Sequence, residues 1–255
     1  MKVATWNVNS VKARLPRLLT WLQTARPDVV CLQELKVPND AFPLREVEAA
    51  GYHAVVHGQK TYNGVAILAR TPPAEPRAGF EDAVPDPQAR LVAATVDGVR
   101  VVSVYVPNGG EVGLPSYDYK IEWLRRLRAY LMRAGVPQRP LVVAGDFNIV
   151  PSDLDCHDPA RWEGSVLYNQ ELREIHKDLL NLGLVDTFRL HHPTEQAFSW
   201  WDYRNLAFPR NEGLRIDFVL ATPALAARCE HAWIDRNERK GEKPSDHVPV
   251  IAEFR

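Results

Sequence analysis

The sequence is short of most features that would assign it to a specialised class. Its three cysteines, Cys31, Cys156 and Cys229, are odd in number and far apart, which excludes a disulfide framework and points to a reduced, intracellular protein. No apolar run approaches the roughly 20 residues needed to cross a bilayer. No basic-then-apolar leader precedes the opening MKVATWN, so a cytoplasmic protein with no membrane association is expected. An excess of either charge is also missing. Lys and Arg number 31 against 32 for Asp and Glu, a net charge of −1, so contact with a polyanion must come from a local basic face. There is no GxxxxGK[ST] loop, no GxGxxG and no GxSxG elbow, which removes P-loop, dinucleotide and serine-hydrolase chemistry. Cys/His sets with zinc spacing are absent, and His157, His176, His191 and His192 are expected on the surface or in loops. Neither an internal repeat nor a low-complexity segment is found.

What is present belongs to an ordinary globular protein. With 45% hydrophobic and 25% charged residues over 255 positions, the chain can build one large α/β domain spanning residues 1–255. The organising stretch is Leu141–Asn148, LVVAGDFN. Its apolar run with adjacent valines is expected as a strand buried on both faces. Gly145 should let the backbone turn, so that Asp146 and Asn148 emerge from the strand end. Gly-Asp-x-Asn is also ordinary turn chemistry, so the assignment depends on other stretches ending in the same way.

They do. Val3–Trp6 is strand-like and stops at Asn7-Val8-Asn9; Asn9 or Ser10 can cap the helix whose stripe is Val11, Leu15, Leu18, Leu19 and Leu22. Pro27 closes that helix, and Asp28–Leu32 is a second buried strand ending in Gln33-Glu34. A short helix is expected in 38–50, strands near 53–57 and 64–69, and a proline-rich loop over 70–86. Leu91–Val96 should pair with Val99–Val106 through Asp97-Gly98, and the second of these strands runs into Tyr105-Val106-Pro107-Asn108. Taken singly, Tyr105 and Asn108 fit core and turn equally well. A long helix starting at Ser116 carries an arginine run that reads as a solvated face. A polar loop over 151–164 and a helix over 169–181 follow. Further on, SWWDYR is densely aromatic, and Asp217 is the odd residue in the apolar strand LRIDFVL. A buried carboxylate needs a partner, and His247, just before the last strand, is the natural one. A loop with Arg236, Arg239, Lys240 and Lys243 precedes Ser245-Asp246-His247.

The polar strand ends therefore supply Asn7, Glu34, Asp146, Asn148, Asp217, Asp246 and His247. Such an oxygen-rich set suits Mg²⁺, or Mn²⁺ in its place. A hard metal, a carboxylate near water and an imidazole buttressed by aspartate point to hydrolysis of a phosphate ester.

The motifs WNVNS, LQELK, YVPNGG, GDFNI, SWWDYR, GLRID and PSDH occur in that order from Trp6 to His247. In this the chain resembles the exonuclease III family of apurinic/apyrimidinic endonucleases, within the endonuclease/exonuclease/phosphatase superfamily. The resemblance implies a four-layered α/β sandwich, two mixed sheets face to face with helices outside. It implies a monomeric, metal-dependent enzyme that cleaves double-stranded DNA 5′ to abasic sites, with 3′→5′ exonuclease activity and cleaning of blocked 3′ ends. By the same resemblance Glu34 holds the metal, with Asn9 nearby and Asp246 beside it. Asp146 activates the water, while Asn148 and Asn7 hold the phosphate and Asp146. His247, oriented by Asp217, bonds a phosphoryl oxygen that Tyr105 and Asn108 also contact. Trp200 and Leu214 wall a pocket for the flipped abasic sugar. Some members carry aspartate at the position of Asn9, tryptophan at Leu214 and arginine at Glu111. Two alternatives stay open on sequence alone. One is a phosphodiesterase or phosphatase of the same superfamily acting on a lipid or inositol phosphate; the other is an inert DNA-binding member. SWWDYR, GLRID and the basic loop favour DNA over the first, and the complete set of acids, amides and imidazole favours an enzyme over the second.

Overall fold

The computed structural model describes all 255 residues. The amino-terminal half supplies β1 (Lys2–Asn7), β2 (Val29–Gln33), β3 (His53–His57), β4 (Val65–Ala69), β5 (Ala74–Ala78), β6 (Leu91–Val96) and β7 (Val99–Tyr105). The remainder supplies β8 (Leu141–Asp146), β9 (Val185–Asp186), β10 (Asp217–Ala221), β11 (Cys229–Ile234) and β12 (Val250–Phe254). They form two mixed six-stranded sheets, in the orders β11-β12-β1-β2-β4-β3 and β5-β6-β7-β8-β10-β9.

The layering follows from side-chain alternation along each central strand. In β8, Val142 and Ala144 join Val3, Cys31 and Ile67 in the core between the sheets. Leu141 and Val143 face the other way, onto Ile121, Leu124 and Leu127 of the helix Pro115–Arg133 and Leu172 of the helix Gln170–Leu180. On the opposite side, Ala4 and Trp6 of β1 pack against Leu18, Trp21 and Leu22 of the helix Val11–Ala25. Both sheets are thus covered on both faces, which is why their central strands are continuous apolar runs. This is the expected four-layered α/β sandwich. No helix is long and apolar enough to cross a membrane.

Two parallel pairs set the position of the site. β1 runs parallel to β2, with Asn7 opposite Gln33, and β7 runs parallel to β8, with Tyr105 opposite Asp146. Each pair is joined by a long helix, so Asn7, Glu34, Tyr105 and Asp146 all lie at carboxyl ends. β10 is antiparallel to β8 with Asp217 opposite Asp146, bringing the start of β10 to the same place. Gly145 remains within β8 rather than turning the chain. A Cβ there would lie 1.9 Å from the Val104 carbonyl oxygen, so glycine permits close strand approach.

The structure differs from the sequence reading in several places. The proline-rich stretch 70–86 contains β5, fully exposed and with a register shift between Ala74 and Arg77. Pro76 is tolerated because β5 is an edge strand. Pro43 splits the helix expected over 38–50 into a 3₁₀ turn, Asn39–Ala41, and the helix Leu44–Ala49. His176 is buried under the second sheet instead of lying on the surface, its ring 5.2 Å from that of Phe218. The hairpin of β6 and β7 forms as read, with Asp97 and Gly98 both at positive φ.

Candidate active site

Asn7 sits at the centre. Its side-chain Nδ2 donates to Glu34 Oε1 and to Asp146 Oδ2, each at 2.9 Å. One amide thus ties the end of the first sheet to the end of the second. Asn7 is itself held, since Ser245 Oγ donates to its carbonyl at 2.7 Å. Asp146 is almost fully buried, and Asn148 N donates to its Oδ1 at 2.9 Å. Burial pushes the Asp146 carboxyl up to about 7; the His247 charge opposes the rise, while the Asp217 and Glu34 charges add to it.

Asp217 and His247, 30 positions apart in sequence, meet: His247 Nδ1 lies 2.9 Å from Asp217 Oδ2. Ser199 Oγ donates to that same oxygen at 2.6 Å, so the buried carboxylate is satisfied. The other ring nitrogen, Nε2, faces Asp146 Oδ2 at 3.7 Å. Burial opposes the imidazolium, but Asp217 and Asp146 outweigh it and raise His247 to about 10. Trp6 Nε1 donates to the His247 carbonyl at 3.1 Å, anchoring its backbone.

A third group closes the side nearest Asp246. Asp246 Oδ1 accepts from Asn9 Nδ2, and Oδ2 from Trp200 Nε1, both at 3.0 Å. Burial would raise Asp246, but the His247 charge and these two donors hold its carboxyl below the usual range. Asn9 Oδ1 in turn accepts from Lys36 Nζ at 2.5 Å, and the same ammonium lies 2.9 Å from Glu34 Oε2. Asn9, Ser10, Glu34 and Lys36 all have positive φ, strained backbone concentrated where the two strands end.

Tyr105 is partly buried beside Asp146, its ring 4.6 Å from the Arg90 guanidinium. Burial, reinforced by Glu34 and Asp146, holds its hydroxyl well above the ordinary phenol value, so it stays a donor. Asn148 Nδ2 donates to the Val106 carbonyl at 2.9 Å, and the exposed Asn108 approaches Asn148 Oδ1 at 3.4 Å. Beneath them Lys120 Nζ, fully buried, donates to the carbonyls of Asn108 at 3.1 Å, Asn148 at 2.6 Å and Val166.

Two sequence expectations need correction. Leu214 has no exposed surface and packs with Val150, Cys156 and Ile216 behind the half-buried Trp200. It supports a wall and does not form one, because its strand-like pairing with Trp200 turns it inward. The basic loop is largely committed internally. Arg239 is buried with its guanidinium 4.8 Å from the Tyr203 ring, and Arg236 lies 4.3 Å from that of Phe208. Arg236, Lys240 and Lys243 are exposed, Arg236 stacked on Phe208 and Lys240 donating to Asn237 Oδ1 at 2.7 Å, so the two lysines are the cations of the loop not packed on a ring. Ser199, Lys36, Ser245 and Lys120 escape sequence reasoning. All four are single polar residues whose partners are set by tertiary contacts, although Ser199, Lys36 and Ser245 lie inside the motifs SWWDYR, LQELK and PSDH.

Chemically, Glu34, Asp146 and His247 each bring one ligand-type atom within 4.8 Å of the others. A charged His247 has both ring nitrogens protonated and offers no lone pair, so of the three only the carboxylates could receive a hard divalent ion or, at Asp146, a proton from water. Beside them stand a positioned imidazolium, a phenol and amides.

Residues 4–247 match the model of the Endonuclease/Exonuclease/phosphatase family. The chain is 37% identical to exodeoxyribonuclease III of Haemophilus influenzae, covering 100% of both sequences. Among solved structures it is similar to an AP endonuclease from Archaeoglobus fulgidus, with TM-score 0.97, 39% identity and coverage of 100% of this chain and 99% of that one. It is also similar to a 3′ phosphatase from Neisseria bound to product DNA hairpin, with TM-score 0.98, 43% identity and the same coverage.

Proposed function

The chain belongs to the Endonuclease/Exonuclease/phosphatase family, and on that premise we propose that it is a metal-dependent DNA-repair phosphodiesterase of the exonuclease III type. Its substrates are duplexes cut 5′ to an abasic site, and 3′ ends that are trimmed or unblocked. The names of its relatives, exodeoxyribonuclease III, AP endonuclease and 3′ phosphatase, support that substrate class. The observation that carries the reading is the single amide of Asn7 joining Glu34 to Asp146, with the Asp217–His247 pair alongside.

In this reading Glu34, with Asp246 and Asn9 as its neighbours, would hold a divalent ion, Mg²⁺ or Mn²⁺, which when bound would supply charge neutralisation to the phosphate. Asp146, poised near neutrality by burial, takes the proton of the attacking water. The water oxygen bonds to phosphorus and the bond to the 3′ oxygen breaks. That oxygen gains a proton from solvent, leaving a 3′ hydroxyl and a 5′ phosphate. His247, held by Asp217, donates from Nε2 to a phosphoryl oxygen as charge builds there, and Tyr105 and Asn148 offer further donors. Asn7 keeps Asp146 aligned, and Asn108 touches the same phosphate. Trp200, backed by Leu214, lines the space for the flipped sugar.

Residues 1–255 act as one catalytic domain, since the site draws on both ends of the chain, from Asn7 to His247. The enzyme works as a monomer in the cytoplasm, where its three free cysteines stay reduced. A gel assay on abasic, nicked and intact duplexes, with and without Mg²⁺, tests the proposal. Metal-dependent incision at the abasic site and metal-dependent trimming from 3′ ends, with no internal cut in the intact duplex, are expected. Preferred turnover of a phosphoinositide, or binding without cleavage, would overturn it.

A further inference from the structure

Lys36 is the cation bonded directly to the carboxylate proposed to hold metal, and nothing in the chemistry above uses it. Its ammonium lies 2.9 Å from Glu34 Oε2 and donates to Asn9 Oδ1 at 2.5 Å. Asn9 spends its remaining amide group on Asp246 Oδ1 at 3.0 Å. The amide oxygen is thus already engaged by a cation, and a strap runs from Glu34 through Lys36 and Asn9 to Asp246. The backbone of Lys36 is fixed in the left-handed region, φ 57°, with its N–H donating to the Asn63 carbonyl at 2.9 Å. The lysine is placed by the fold instead of trailing in solvent.

The charges agree with this placement. The carboxylates joined by direct contacts at the mouth are Glu34, Asp146, Asp217 and Asp246, and the cations in contact with them are His247 and Lys36. Lys36 is the one ammonium among them, and it sets a positive charge between Glu34 and Asn9. Without Lys36 that charge would be gone, and the gap between Glu34 and Asp246 would be an oxygen-lined position open to a second ion.

We propose that Lys36 is a built-in second cation, which limits this site to one divalent ion and keeps Asn9 and Asp246 out of its coordination. The inference rests on the metal-dependent reading above and adds the number of ions and what sets it. The test is direct Mn²⁺ binding to the full-length protein without DNA, followed by electron paramagnetic resonance and calorimetry. The wild type should bind one Mn²⁺ per chain. Lys36→Met should bind a second, and should bind the first roughly tenfold more tightly, since a unit charge about 5 Å from a divalent ion is worth a factor of that order even in water. Lys36→Asn tolerates the left-handed backbone and should behave like Lys36→Met, guarding against a folding defect in the latter. Lys36→Arg, which keeps the charge, should retain the wild-type stoichiometry. Two equivalent Mn²⁺ ions in the wild type would overturn the proposal, as would an unchanged number of ions in both neutral variants. No Mn²⁺ bound by any of these proteins is a different pattern, and would overturn the metal-dependent reading itself.

Discussion

At the scale of single residues, the site separates groups that act on substrate from groups that hold them. Asp146 is almost fully buried, faces His247 and accepts from Asn7. Asp146→Asn keeps the shape but removes the base. It should fold normally in a thermal melt and lose about 10²–10⁴-fold in cleavage rate; near-normal turnover would show that the water is activated elsewhere. Asp217 and His247 act as a unit, since the carboxylate touches only the far side of the ring and Ser199. Their losses should be strongly non-additive: once Asp217 is asparagine, His247→Asn should cost little more. Independent losses in the double-mutant cycle would dissolve the pair. The sequence announces Asp217 because a charge inside LRIDFVL demands a partner, and His247 because it precedes a strand that could deliver it. Ser199 is invisible for the converse reason: a serine beside two tryptophans breaks no pattern, and its importance lies in a 2.6 Å contact across 18 residues.

Elements are legible where burial imposes a period and illegible where it does not. β8 and the paired helices follow from continuous or 3.6-spaced apolar residues, whereas β5 is exposed throughout and carries proline and charge. Its strand character comes from pairing with β6, a non-local fact. Gly145 stands out in the sequence, but for another reason than the one found, because strand spacing cannot be read from one strand. Gly145→Ala forces a methyl against the Val104 carbonyl. It should lower unfolding free energy in urea by at least about 1–3 kcal/mol and also slow catalysis, since Tyr105 and Asp146 lie across that junction. His176, on the helix Gln170–Leu180, reads as a surface residue for want of a tertiary cue. Burial, aided by Arg215 and opposed by Asp186 and Asp155, depresses it to about 4. The unfolded chain protonates near the ordinary 6.5, so the unfolded state binds more protons between these values. The associated stability is complete above 6.5 and is lost as pH falls toward 4, by about 3 kcal/mol at most. His176→Leu should flatten the pH dependence of urea midpoints in that window, and an unaltered slope would mean that His176 takes up its proton equally in the folded and unfolded states.

At the scale of the whole molecule, a net charge of −1 means that DNA cannot be held by a general field, and few phosphate contacts must suffice. The sequence locates a cluster of cations at 236–243, but composition does not show which are free. The structure divides them. Arg239 is buried against Tyr203 and Phe208, and Arg236 covers Trp201 and Phe208. Lys240 and Lys243 remain at the surface, on the loop that leads into Asp246 and His247. Guanidinium groups packed on rings contribute through buried area as well as charge. Arg239→Ala should therefore lower the melting temperature and leave the salt dependence of DNA affinity close to that of the wild type. Lys240→Ala combined with Lys243→Ala should do the reverse. Every phosphate that is no longer neutralised takes about 0.9 from the slope of log affinity against log salt. The double variant should thus flatten the slope by up to about 1.8 while melting normally. Anisotropy titrations of an abasic duplex at several salt concentrations measure this. If Arg239→Ala flattened the slope and the lysine pair did not, the buried guanidinium would have to open toward DNA on binding, and the division drawn from the free protein would be wrong.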